Sequence, residues 1–104
     1  MIYTIDQIRK IVTPIAASYG IQSLSLFGSY ARGDASDLSD VDLLLDYGSI
    51  KSGFIIGGLY SDLKNGLKKD LDLVSTRGVN QDFLNMIMKD GVLLYKKEKC
   101  EERI

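Results

Sequence analysis

Apolar side chains recur at helical spacing from the start of the chain, where Ile5, Ile8, Ile11, Val12, Ile15 and Tyr19 share one face. Thr4 with Gln7 three residues later fits a capping box at the beginning of this helix, and Gly20 offers a stop. Pro14 falls inside the pattern and is expected to kink or divide the helix near residues 11–13, with helix on both sides. Short apolar or alternating runs then predict strands at 21–27, 41–47 and 71–75. A helix is predicted over 54–65, ended by Gly66. Gly57 and Gly58 weaken it by about 2 kcal/mol relative to alanines, which suits close packing on the sheet or an irregular first turn. Asn80 is placed to cap a last helix through residue 89, with Phe83, Leu84, Ile87 and Met88 inward. Asp90-Gly91 then turns into a strand at 92–95. The pattern describes an α/β (α+β) chain, one small sheet with helices packed on it, over residues 1–95, followed by a charged tail at 96–104 that is expected to fray unless a partner orders it.

Candidate chemistry is concentrated between Gly28 and Asp46. The buried-type run Leu24-Ser25-Leu26-Phe27 delivers Gly28-Ser29 to the end of a strand. There the missing Cβ lets backbone N–H groups approach a phosphate closely, and the serine hydroxyl adds a donor. Ten residues further on, Asp40 and Asp42 stand two apart at the start of the next strand, so the side-chain period places both on one face, roughly 7 Å apart. Two such carboxylates repel unless something positive lies between them. With no histidine or cysteine nearby, hard oxygen ligands favour Mg²⁺ or Mn²⁺ over zinc. A third carboxylate comes from the 71–75 strand, where Asp72 faces away from Leu71 and Leu73; Asp70 shares that face but lies nearer the lysines and the strand entrance.

Gly28-Ser29, ten residues, then Asp40-Val41-Asp42, with Asp72-Leu73-Val74 as a third-carboxylate strand, resembles the polymerase β-type nucleotidyltransferases, specifically their minimal (MNT) members, over residues 4–95. The resemblance implies a small mixed β-sheet with helices on it, ATP as substrate and two Mg²⁺ ions. It implies Asp40, Asp42 and Asp72 as metal-binding catalytic residues, Gly28 and Ser29 as phosphate ligands, and preference for Asp72 over Asp70. The resemblance also places Arg32, three residues after Ser29, where a guanidinium can reach a phosphate. Many MNT proteins are antitoxins paired with a HEPN-domain RNase toxin, and MntA-like members transfer AMP from ATP onto a toxin tyrosine. An adenylyltransferase antitoxin with a HEPN-type partner is therefore expected, with two alternatives: a catalytically silent antitoxin that acts by binding alone, and a small-molecule enzyme of the aminoglycoside-modifying kind.

Composition narrows these readings. At 104 residues the chain holds one small domain, with no room for an appended acceptor-binding module, so the acceptor is expected to bring its own surface. Thirteen basic and fourteen acidic side chains give a net charge of −1 and no global field for nucleic acid. Lys64, Lys68 and Lys69 read as a solvated helix face, which leaves the ligand role to Arg32. The absence of histidine excludes a Ser-His-Asp triad and the histidine-containing motif of a HEPN RNase, placing the chain on the antitoxin side of such a pair. Cys100, the sole cysteine, excludes an intramolecular disulfide and suits a reducing cytoplasm. The longest apolar run, residues 53–60, is too short to span a membrane, so a soluble cytoplasmic protein is expected. Tyr30, inside the motif, is expected to pack on a neighbouring helix rather than stack on a base.

Overall fold

A computed structural model describes residues 2–48, 50, 52–76 and 79–97; Cys100 and the remainder of the tail lie outside them. Helices α1 (Ile5–Tyr19), α2 (Gly28–Arg32), α3 (Gly53–Leu67) and α4 (Gln81–Asp90) alternate with strands β1 (Ser23–Phe27), β2 (Val41–Asp46), β3 (Leu71–Ser75) and β4 (Val92–Lys96). The strands form one mixed sheet in the order β3-β2-β1-β4, with β1 antiparallel to both neighbours and β2 parallel to β3. The parallel pair requires a crossover, which α3 supplies.

The opening helix forms for the reasons legible in its sequence. Thr4 Oγ1 accepts from the Gln7 N–H, and the Gln7 side chain accepts from the Thr4 N–H, closing the capping box. Gly20 ends the helix at φ +72°. Pro14 does not divide it, because one helix runs from Ile5 to Tyr19. Pro14 and Lys10, whose carbonyl loses its helical donor, are both exposed, so water can meet the freed group.

Side chains at period two from β1, β2 and β3 (Leu24, Leu26, Val41, Leu43, Leu45, Leu71) form the core with Ile8, Val12 and Ala16 of α1 and Leu59, Leu63 and Leu67 of α3. Two glycines of α3, Gly58 and Gly66, serve its contact with α1 rather than with the sheet, whereas Gly57 faces open space. A Cβ at Gly66 would stand 3.0 Å from Ile15 Cδ1, and one at Gly58 would stand 3.0 Å from the Tyr19 hydroxyl. Gly66 is consequently inside α3, which continues to Leu67 and is capped by Lys68 at φ 56°.

On the last helix, Asn80 Oδ1 accepts the Phe83 N–H at 2.8 Å. Of its four inward candidates Ile87 is buried, Phe83 and Leu84 are half-buried, and Met88 is 74 % exposed. The stripe is narrower than the sequence implies because α4 packs mainly against α2 rather than across the sheet, and its Phe83 meets Phe27 edge-to-face at 6.2 Å. Asn80→Ala is expected to destabilise the protein by about 1 kcal/mol through the lost cap, read as a lower midpoint in urea. β4 runs one residue past the expected 92–95, with Lys96 opposite Ser23.

Candidate active site

β1 delivers Gly28 to the edge of a cleft in a backbone conformation that favours glycine, φ +75°. A Cβ there would overlap the Asp42 carboxylate, so the missing side chain and the acid share one space. The chain then turns through the single short helix α2, which ends at Gly33 with φ +84°. The N–H groups of Gly33 and Asp34 both donate to the Ser29 carbonyl at 3.0 Å, fixing the loop on the far side of Ser29. Tyr30 points the other way and is buried in the core, with its hydroxyl lacking a hydrogen-bond partner among the described residues. Arg32 is half-exposed, 3.4 Å from Asp34, and lines the cleft together with Gly28, Ser29 and Asp42.

Parallel pairing sets Asp42 directly opposite Asp72. Neighbouring strands lie about 4.8 Å apart, so two carboxylates project side by side from one face. Asp40 precedes β2 and is exposed, whereas Asp42 is half-buried. Burial foremost, then the charges of Asp72 and Asp40, push the Asp42 carboxyl above its ordinary value, with Arg32 opposing. The structure places Asp42 at one cleft and Asp40 at a neighbouring one, although the charge of Asp40 reaches Asp42. Asp70 lies outside β3, is exposed, and stands 3.4 Å from Lys64 in the cleft that Asp40 also lines.

Among the described residues no three His, Cys, Asp or Glu side chains stand close enough to hold one metal ion by themselves. The donors still fit Mg²⁺, which characteristically binds through one or two carboxylates and completes its shell with water and substrate phosphate. Asp42 and Asp72 supply paired hard oxygens whose mutual repulsion a cation relieves, beside a glycine whose missing side chain makes room for the Asp42 carboxylate. One consequence is open to measurement without any cation. Because its folded-state pKa is raised, Asp42 contributes most favourably below the ordinary carboxyl value of 3.8, and that contribution is lost as pH rises through the raised value. The stability difference between wild type and Asp42→Asn, measured by urea unfolding in chelator, should therefore shift in favour of the variant between pH 3.8 and neutrality.

Two clefts flank this end of the sheet. One, of about 480 Å³, joins Gly28, Ser29, Arg32 and Asp42 to Phe83 and Met86 of α4. The other, of about 550 Å³, brings Asp40 together with Lys64, Lys68 and Lys69. Lys64 and Lys68 line the second cleft, Lys69 also approaches the motif with its Nζ 6.0 Å from the Tyr30 ring centroid, and Arg32 lines the first cleft. The wall from α4 is the part that sequence reasoning missed: Phe83 and Ile87 read as core, yet both also line the first cleft. Their helical spacing shows that a face is apolar without showing how much of it the sheet covers.

Comparison with known proteins agrees with this geometry. The family described as Polymerase beta, Nucleotidyltransferase matches residues 9–100. Protein adenylyltransferase MntA of Thermococcus cleftensis is 35 % identical over 79 residues, covering 70 % of this chain and 80 % of that protein. A Methanocaldococcus jannaschii relative, provisionally named a protein adenylyltransferase, is 30 % identical over 88 residues, covering 85 % of this chain and 95 % of its own. Among solved structures, a toxin-antitoxin with AMP-PNP superposes with a TM-score of 0.72 at 22 % identity, over 86 % of this chain and 74 % of the other, a likeness of fold. A protein provisionally called a minimal nucleotidyltransferase superposes with a TM-score of 0.76 at 26 % identity, over 86 % and 95 %. With the mixed four-stranded sheet, the strand-end Gly28-Ser29 and the carboxylate of Asp42 against it, these matches establish that the chain belongs to the polymerase β-type nucleotidyltransferase family, among its minimal members.

Proposed function

We propose that this protein is an antitoxin that transfers AMP from ATP to a tyrosine hydroxyl of a HEPN-type toxin. The observation that carries the chemistry is the in-register pair Asp42 and Asp72 beside the Cβ-free space of Gly28. Support for the acceptor comes from relatives named protein adenylyltransferases and from a fold-level neighbour described as an MNT antitoxin in complex with a tri-AMPylated Shewanella oneidensis HEPN toxin, with a TM-score of 0.67 at 19 % identity.

In this reading the backbone at Gly28 and Ser29, the Ser29 hydroxyl and the Arg32 guanidinium hold the triphosphate and orient its α-phosphorus. Asp40, Asp42 and Asp72 would hold two Mg²⁺ ions, which when bound offset charge on the phosphates and on the attacking oxygen. The acceptor oxygen attacks the α-phosphorus in line, the bond to the β-phosphate oxygen breaks, and pyrophosphate leaves. A tyrosine hydroxyl has an unperturbed pKa of about 10 and needs a proton acceptor; Asp72, at the exposed edge of the carboxylate pair, takes that proton. Labelled ATP separates this from phosphoryl transfer. Label at the α-phosphate should enter the toxin while label at the γ-phosphate should not, and the reverse pattern would refute the reading. A toxin that is silenced in a tight complex without gaining either label would favour inhibition by binding alone.

A further inference from the structure

Resting on the nucleotidyl-transfer reading, we propose that the α4 wall of the 480 Å³ cleft holds the nucleobase and that Asp90 selects a purine carrying a 6-amino group. The cleft is of a size typical of ligand pockets and is chemically two-sided. Gly28, Ser29 and Arg32 offer donors and positive charge at one side, while Phe83 and Met86 offer an aromatic ring and a polarisable thioether at the other. A nucleotide whose phosphates occupy the first side has its base directed along the same cavity, where a flat π-face packs on Phe83. Phe27 buttresses that ring edge-to-face and fixes its orientation. Met86 is 59 % exposed, so its thioether is accessible to a base entering the cleft.

Asp90 also lines this cleft. It is the last residue of α4, where the helix carbonyls already carry partial negative charge and a carboxylate is disfavoured. Among the described residues its side chain has no hydrogen bond or ion pair to offset that cost. An ionised carboxylate only accepts hydrogen bonds. It therefore pairs with an exocyclic amino group and repels a carbonyl at the same position, so the pocket favours adenine over hypoxanthine, whose N1–H reaches the carboxylate only if the base shifts.

Binding of ATP, ITP and inorganic tripolyphosphate to the full chain, each with Mg²⁺, tests this by calorimetry. Wild type should prefer ATP to ITP by about tenfold, the scale of one hydrogen bond to a charged group. Asp90→Asn, whose amide can also donate to a carbonyl, should reduce that ratio to about threefold or less while leaving tripolyphosphate unchanged. Met86→Ala should weaken ATP and ITP alike and spare tripolyphosphate. An ATP-to-ITP ratio that survives in Asp90→Asn would overturn the role of Asp90, and tripolyphosphate binding as tightly as ATP would place the base outside the cleft. Failure of all three probes to bind would instead remove the phosphate site and the inference with it.

Discussion

Asp42→Asn is expected to lower AMP transfer on the order of 10³-fold or more while leaving the fold intact. The substitution preserves shape and removes charge at the one half-buried carboxylate of the site, where burial and two neighbouring acids have already raised its proton affinity. The same strain makes the amide no burden to folding. The variant should unfold at a urea concentration equal to or higher than wild type at neutral pH. Transfer assays and equilibrium unfolding on the same preparation separate the two effects. Loss of transfer accompanied by loss of stability would point to a structural role for Asp42, and retained transfer would remove it from the chemistry.

Gly28→Ala is expected to damage both stability and activity. Its backbone at φ +75° costs a residue with a side chain about 1–3 kcal/mol. The added methyl would also occupy the position of the Asp42 carboxylate, which must then rotate away or push β1 and β2 apart. Displacing a catalytic group by about 1 Å can cost on the order of 10²-fold, so transfer should fall at least that far. Gly33→Ala makes a useful contrast. It has a similar φ of +84° but open space around its Cβ position, so it should cost stability without the same loss of turnover.

What could be read from the sequence was mostly local. The Thr4 and Gln7 capping box, the stop at Gly20, the bounds of β3 and the Asn80 cap each depend on neighbours within a few residues. The pairing of Asp42 with Asp72 was anticipated only through resemblance, because register across a parallel pair is set by how α3 packs in the crossover. Gly66 reads as a helix stop, yet the approach of α1 requires a small residue inside α3 there, and the stop falls to Lys68. Met88 and Met86 occupy the same amphipathic helix as Ile87. Nothing in their spacing reveals that both stay exposed and that Met86 lines a cleft, which is why one side of that cleft was invisible before the fold was known.

The most direct test of the central claim is the intact mass of a HEPN-type protein encoded beside this one, taken after incubation with the purified chain, ATP and Mg²⁺. A mass gain of one or more AMP groups on the toxin is expected, lost in chelator and lost with Asp42→Asn. A toxin of unchanged mass that is nonetheless inhibited in a stable complex would contradict it, leaving Gly28, Asp42 and Asp72 as the frame of a binding protein rather than the site of an enzyme.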